Sequence, residues 1–436
     1  MLDRNRSVLE VSGKLLLLLT LPAVILLYGF TQPPIVSGDG HPYDSQSYYH
    51  MAEQVAAGER IEELRPFASR VALPWLVGKL FPADLMLGFT VLNIAFALGG
   101  LLLLGLFLRE FLRSEWLVWS LLLLTVVNPN SPLRFVFYLP AYTDPPALFF
   151  ITLLLLLNRR IATLNLRTAL VFATAGFVGA LFRELVLCAV LVTSFCQCAS
   201  LSVSAPWLRL KSFSALGLAL VPVAATLAGI WLANAAVEST GSYQYLVQAQ
   251  RVITQLVQQP TIYPLAWLTA FGLIPVIILL RLNHRLLGFL GANQDILLYL
   301  LGLSLLALVA GFHTDRLVLW AYPAVLVVFG KVLECLPWRD TDRLRKVLFF
   351  GPLVLVQTLT FRVFLPIPGD EGGQLFDPGA APALLFSAYG EAANLGHFYA
   401  SSMVPGDRIT LLIQFALMAV YFGALLATMS RGHKKV

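Results

Sequence analysis

Long uncharged apolar runs leave this chain few ways to fold. Val91 to Leu108, Phe213 to Leu232 and Ile409 to Met429 each approach or exceed the ~20 residues that carry a helix across hydrocarbon. Backbone in lipid must satisfy its polar groups internally, and single runs of this length do so as helices, not strands. Charged residues are 12% of the 436, and mean hydropathy is +0.78, whereas soluble domains hold about 25% charged residues. The chain therefore reads as one all-α, polytopic transmembrane bundle spanning residues 1–436. Nucleic acid is not the partner implied by its net charge of +6.

Twelve spans are predicted, near 14–30, 84–108, 116–133, 144–157, 168–182, 185–200, 212–233, 263–280, 293–311, 317–333, 347–365 and 409–429. Arg4, Arg6 and Lys14 precede the first, but no small-x-small cleavage site follows Phe30, so it reads as a retained helix and not as a signal peptide. With both termini inside, the inner loops and helix ends hold 20 of the 30 Lys and Arg, and the outer side holds 16 of the 24 acids. That asymmetry follows the positive-inside rule. One stretch decides the parity. Ala169 to Ser200 is either a single tilted helix or two short helices meeting at Arg183-Glu184, and two helices spare that charged pair a cost of several kcal/mol in mid-bilayer. Cys188, Cys196, Cys198 and Cys335 lie in or beside apolar segments, which indicates neither a disulfide framework nor a zinc site.

All the long loops, 31–83, 234–262 and 366–408, fall on the outer side, so work is expected at that face. The 366–408 loop contains Asp370-Glu371-Gly372-Gly373 and reads as an irregular lid with a short helix at Ala381 to Leu395. In the first loop Tyr48, Met51, Ala52, Val55 and Ala56 recur at helical spacing, the mark of an amphipathic surface helix. Asp44 or Ser45 would cap it. Ala68 to Phe81, with Arg70, Pro74 and Trp75, returns the chain to the second span. Asp44 itself is open to two readings, an N-cap worth about 1 kcal/mol or a functional carboxylate above the bundle.

An aspartate four residues before a tyrosine, just after the first span of a twelve-helix chain, resembles the first external loop of the GT-C superfamily of membrane glycosyltransferases. Aminoarabinose transferases and protein O-mannosyltransferases belong to that class. The resemblance extends to Arg65-Pro66-Phe67-Ala68-Ser69-Arg70-Val71-Ala72-Leu73-Pro74, to Tyr142-Thr143-Asp144-Pro145, to Gly179-Ala180-Leu181-Phe182-Arg183-Glu184, and to His313-Thr314-Asp315-Arg316-Leu317 with Tyr322-Pro323. It implies a polyprenyl-phosphate-linked sugar as donor and transfer with inversion to a hydroxyl on a glycan, lipid or protein. The active site would be periplasmic, in a bacterial inner membrane, among membrane lipids.

The resemblance assigns Asp44 as general base and Asp144 as a second acid that orients substrate or helps hold a divalent metal (Mg or Mn). Asp39 is the alternative base or a metal partner, although Gly38-Asp39-Gly40 is also a plain turn. Arg183 and Arg316, at outer helix ends, suit phosphate oxygens through the planar guanidinium fork. The competing readings are that Arg183-Glu184 fixes helices through other polar groups and that Arg316 snorkels beside Asp315. Tyr48, Arg70, Glu184 and His313 complete the expected binding set, while His41 and His313 also fit simple turns. Tyr43, Tyr48, Tyr49, Tyr138, Tyr142 and Trp320 either line a sugar site or form an interfacial belt. The alternative function is a transporter or flippase of lipid-linked glycans, for which charge near the midplane is expected. A non-catalytic scaffold would leave the one-sided charges unexplained.

Overall fold

The structure is a computed structural model, and it describes residues 22–25, 44–128, 131–161, 163–201, 208–210, 212–241, 244–310, 314–338, 341–361 and 405–431. The described residues are all-α apart from two short ladders: a parallel pair between β1 (Glu62–Glu63) and β4 (Glu238–Ser239), and a hairpin of β2 (Ala199–Leu201) with β3 (Leu208–Leu210). The predicted 14–30 span lies mostly outside the described residues, as do Asp370-Gly373 and the short helix expected at Ala381 to Leu395.

Two short helices cover one end of the bundle. α1 (Asp44–Ala57) buries Tyr48, Met51, Ala52 and Val55 of the stripe read from the sequence, with Ala56 partly buried. A 3-10 turn at Phe67–Arg70 leads into α2 (Ala72–Leu80), which lies against α1. Gly78 permits that approach, because a Cβ there would meet the Ala52 carbonyl oxygen at 2.5 Å and the Val55 Cβ at 2.7 Å. α3 (Leu85–Arg109) starts at Asp84, whose side chain accepts from the Leu87 backbone N–H. Its 25 residues run about 37 Å, from the α1 end to the opposite end.

Shorter helices follow, α4 (Glu115–Val127), α5 (Pro132–Tyr138), α6 (Asp144–Arg160), α7 (Leu166–Phe182) and α8 (Val186–Cys198), and then the long α9 (Phe213–Ala236). Pro145 and Pro146 sit in the first turn of α6, where a missing N–H costs nothing. α7 opens with a capping box between Asn165 and Thr168. α7 and α8 are separate helices meeting at Arg183 to Leu185, so the single-helix reading of 169–200 falls. α9 packs closely on α7 through Gly229, where a Cβ would meet the Phe177 carbonyl at 2.7 Å.

The second half is more broken than the sequence suggests. The predicted loop 234–262 contains an amphipathic helix, α10 (Tyr245–Gln258). The predicted span 263–280 is two helices, α11 (Ile262–Phe271) and α12 (Ile274–Leu280), bent by 106° at Gly272, which has φ +61°. The Gln357 side chain satisfies this break, accepting from Leu273 N–H at 2.9 Å and donating to the Phe271 carbonyl at 3.1 Å. Buried backbone at a helix break needs such partners. α13 (His284–Ala292) meets α14 (Gln294–Leu306) at 97°. The predicted 317–333 span is α15 (Thr314–Leu319) followed by α16 (Tyr322–Glu334). α17 (Arg343–Thr360) and α18 (Pro405–Arg431) complete the described chain.

Among the described residues three helices are long and apolar enough to cross a bilayer: Leu85–Arg109, Phe213–Ala236 and Arg408–Met429. The count rises to five if each bent pair forms one span. The other predicted spans that fall within the described residues coincide with shorter or divided helices, so length and composition support a membrane protein without reproducing twelve spans.

Candidate active site at the α1 end

Charged side chains from five separated segments meet where α1 begins. Asp44 is the first residue of α1 and Tyr48 follows one turn later. Arg70 closes the 3-10 turn, Asp144 opens α6, Arg183 and Glu184 occupy the α7–α8 junction, and Arg316 lies in α15. The arrangement alternates in sign. Arg316 donates from Nη1 to Asp44 at 3.2 Å, and from Nε and Nη2 to the two oxygens of Asp144 at 3.2 and 2.6 Å. Arg183 donates from Nη1 to the same Asp144 oxygen at 2.7 Å. Its guanidinium lies over the Trp320 ring, 5.0 Å from the centroid, and that of Arg316 lies over Tyr142 at 4.4 Å.

A second limb runs beside the first. Arg70 grips Glu184 through Nε at 3.0 Å and Nη2 at 2.5 Å, and donates to the Tyr48 hydroxyl at 2.6 Å. Ser69 adds a hydrogen bond to Glu184 at 3.2 Å. Tyr48 joins the limbs, packing edge-on against Tyr142 with centroids 6.2 Å apart. Burial opposes ionisation of Glu184, but the Arg70 guanidinium outweighs it and holds the carboxyl down at about 2. Burial also pushes the Tyr48 phenol up, so it stays protonated at neutral pH.

The neighbours Arg183 and Glu184 thus diverge, one to Asp144 and the other to Arg70, and both tie helices together. Arg316 does not snorkel. It is buried and turned inward to two carboxylates, while Asp315 lies next to Thr269, whose hydroxyl is 3.4 Å from its Oδ2. Tyr48, Tyr138, Tyr142 and Trp320 are buried and so are not a lipid-facing belt. Tyr49 is half-buried and stacks on Phe89. Asp39, His41, Tyr43 and His313 lie outside the described residues.

The two aspartates differ in access, and this divides their chemistry. The Asp144 side chain is 7% exposed and that of Asp44 is 32% exposed. Asp144 is an internal anchor for two arginines; Asp44 is open to solvent, as is the Glu184 side chain at 34%, but Glu184 is clamped by two Arg70 bonds whereas Asp44 carries one Arg316 contact at 3.2 Å. Asp144 does not fit the metal-ligand role considered from the sequence, because two guanidinium groups occupy its oxygens and would repel a cation. Among the described residues no three His, Cys, Asp or Glu side chains form a metal-binding group.

Polar residues that the sequence reading passed over hold the frame. Asn93, buried in α3, donates to the carbonyls of Pro140 at 2.6 Å and Tyr142 at 2.8 Å, fixing the loop that delivers Asp144. Arg134, fully buried, donates to the Val127 and Phe361 carbonyls at 2.9 and 2.6 Å. An asparagine or arginine within or beside an apolar run is the signal that marks such residues, since an intramembrane polar group needs a partner. No family model, curated protein or solved structure matches this chain.

Proposed function

We propose that the chain is an integral-membrane glycosyltransferase of the GT-C type, carrying a hexosyl or pentosyl group from a polyprenyl-phosphate donor to an acceptor hydroxyl. The observation that carries this reading is the convergence of Asp44, Asp144, Arg183 and Arg316 at one end of an apolar bundle, with Asp44 more exposed than Asp144 and held by a single arginine contact. The resemblance of the first loop and of the 142–145, 179–184 and 313–317 segments supports the same assignment. In this reading the bundle has twelve spans and sits in a bacterial inner membrane, with both termini cytoplasmic and the α1 end periplasmic.

The reaction balances as one displacement. The acceptor oxygen bonds to the anomeric carbon from the face opposite the phosphate, and its proton passes to the Asp44 carboxylate. The bond between the anomeric carbon and the phosphate oxygen breaks, and its electron pair leaves with the polyprenyl phosphate, inverting the centre. A positioned base contributes about 10²–10⁴-fold. No acid is needed opposite, because the leaving group is a stabilised anion. Arg316, bonded to both aspartates, orients Asp44. The two arginines and two aspartates balance in charge. Once Asp44 holds the acceptor proton, Arg183, Arg316 and Asp144 together carry one net positive charge opposite the growing phosphate charge, and preorganised groups of this kind act most strongly where water is excluded. Aromatic faces at Tyr142 and Trp320 back the two guanidinium groups. Glu184, Arg70 and Tyr48 hold the cap against the bundle.

The test is a panel of radiolabelled polyprenyl-phosphate sugars offered to purified protein in vesicles containing total membrane lipids and glycans. Transfer of label to an acceptor, with release of polyprenyl phosphate, is expected for at least one donor. Label that crosses the bilayer still attached to its carrier, with no acceptor product from any donor, would replace this reading with a flippase.

A further inference from the structure

The end of the bundle opposite Asp44 carries a second cationic feature, unconnected with the chemistry proposed above. α3 terminates there at Arg109, and the residues after it tie the end together. Glu110 pairs with Arg160, the ring of Phe111 lies under Arg159 at 4.3 Å, and the Arg113 N–H donates to Glu334 at 2.6 Å. Phe111 also packs edge-on against Phe289 of α13, with centroids 6.2 Å apart. Beside Phe289 opens a cavity of about 180 Å³, lined by Arg281, Asn283, Arg285, Lys331 and Cys335 over an apolar floor that includes Leu286 and Phe289.

Three cations line this cavity and no acid does, among the described residues. Lys331 is held by Glu334 at 2.8 Å and lies over the Phe289 ring at 5.7 Å. Arg285 is exposed and forms no ion pair among the described residues. The volume suits a phosphate group with part of a glycerol, and not a whole lipid. Close in sequence to the lining residues Arg281 and Leu286, Leu279, Leu282 and Leu287 are exposed, offering apolar surface where acyl chains would run. α13 stands at 97° to α14. Where α14 runs along the bilayer normal, α13 at a right angle to it lies parallel to the membrane plane, as an interfacial amphipathic helix does. Basic pockets between helices at headgroup depth are suited to anionic headgroups.

We infer that the cavity beneath α13 binds the phosphodiester headgroup of an anionic phospholipid, with Arg281 and Arg285 as the anion-binding residues and the exposed leucines receiving the acyl chains. Cationic residues without apolar surroundings would serve a free phosphate equally well. The flanking leucines and the interfacial helix favour the lipid.

Cys335 lines the cavity and is exposed, while Cys188, Cys196 and Cys198 are partly or fully buried, so it reports occupancy without any activity assay. Full-length protein, delipidated in mild detergent, is titrated with phosphatidylglycerol, phosphatidylcholine or inorganic phosphate. Labelling of Cys335 by a water-soluble maleimide is timed, with Cys335→Ala as the blank, and retained lipid is counted by native mass spectrometry. Phosphatidylglycerol is expected to slow labelling and remain bound, phosphatidylcholine to do neither, and millimolar phosphate to give no protection. Each arginine removed, as Arg285→Gln or Arg281→Gln, is expected to weaken phosphatidylglycerol binding about fivefold. Arg285 is exposed, so Arg285→Gln should fold even if Arg281→Gln does not. Equal protection by both lipids, protection by phosphate alone, or unchanged binding in Arg285→Gln would each overturn the inference.

Discussion

Replacing Asp144 by asparagine separates an ion network that supports the fold from a loose set of charges. Its carboxylate accepts from Arg183 at 2.7 Å and from Arg316 at 2.6 and 3.2 Å, and the three side chains are 7%, 7% and 9% exposed. The amide keeps the shape but removes the charge, leaving two buried guanidinium groups of which only Arg316 retains a carboxylate partner, Asp44. Breaking a buried pair from one side costs about 3–5 kcal/mol, which is roughly a 150- to 5,000-fold shift in the folding equilibrium. The comparison is Asp44→Asn, which loses a single 3.2 Å contact from a side chain 32% exposed, and should cost under about 1 kcal/mol. Reversible unfolding in mixed detergent micelles, followed by tryptophan fluorescence, measures both. Adding Arg183→Gln to Asp144→Asn should recover part of the loss, because Arg183 is the buried guanidinium that the first change leaves without a carboxylate. If Asp144→Asn unfolds with wild-type stability, the network does not hold the helices, and the structural account of the site is wrong.

Three further outcomes follow from named contacts. The folded Glu184 carboxyl is held at about 2, below its ordinary value of 4.5, so the stability it gives is present above about 4.5 and is lost as pH falls toward 2; the unfolding midpoint should drop across that window in wild type and much less in Glu184→Gln, and parallel curves would refute the Arg70–Glu184 clamp. Gly78→Val, which must push against Ala52 and Val55, should loosen α1, speed proteolysis in the 44–63 segment and cut activity while the rest of the bundle stays protected. Asn93→Leu strands the Pro140 and Tyr142 carbonyls at about 1–3 kcal/mol, and should lower kcat more than donor affinity by shifting Asp144; a change in stability with kcat intact would show that the loop positions nothing.

The sequence carries the helical class, the apolar stripe of α1 and the division at Arg183-Glu184 openly, because each rests on local spacing or on the cost of charge in lipid. The pairing of partners is not local. Arg316 meets Asp144 from 172 residues away, and nothing in either neighbourhood names the other. Breaks inside apolar runs are equally hidden. A helix that is apolar on all sides has no polar face to interrupt, so only Gly272 and Pro275 hint at the 106° bend, and its remedy, Gln357, lies 84 residues away from Leu273. Asn93 and Arg134 were legible only as polar groups needing partners. The acceptor role of Asp144 toward two arginines, which removes it as a metal ligand, needed the assembled site.

The most direct measurement is the rate of sugar transfer at saturating donor by Asp44→Asn beside wild type, with unfolding stability measured on the same preparations. The account predicts matched stability within about 1 kcal/mol and a loss of about 100-fold or more in kcat. A variant that is equally stable and transfers sugar at the wild-type rate would reduce Asp44 to the first residue of a helix, and the proton would have to leave by another route.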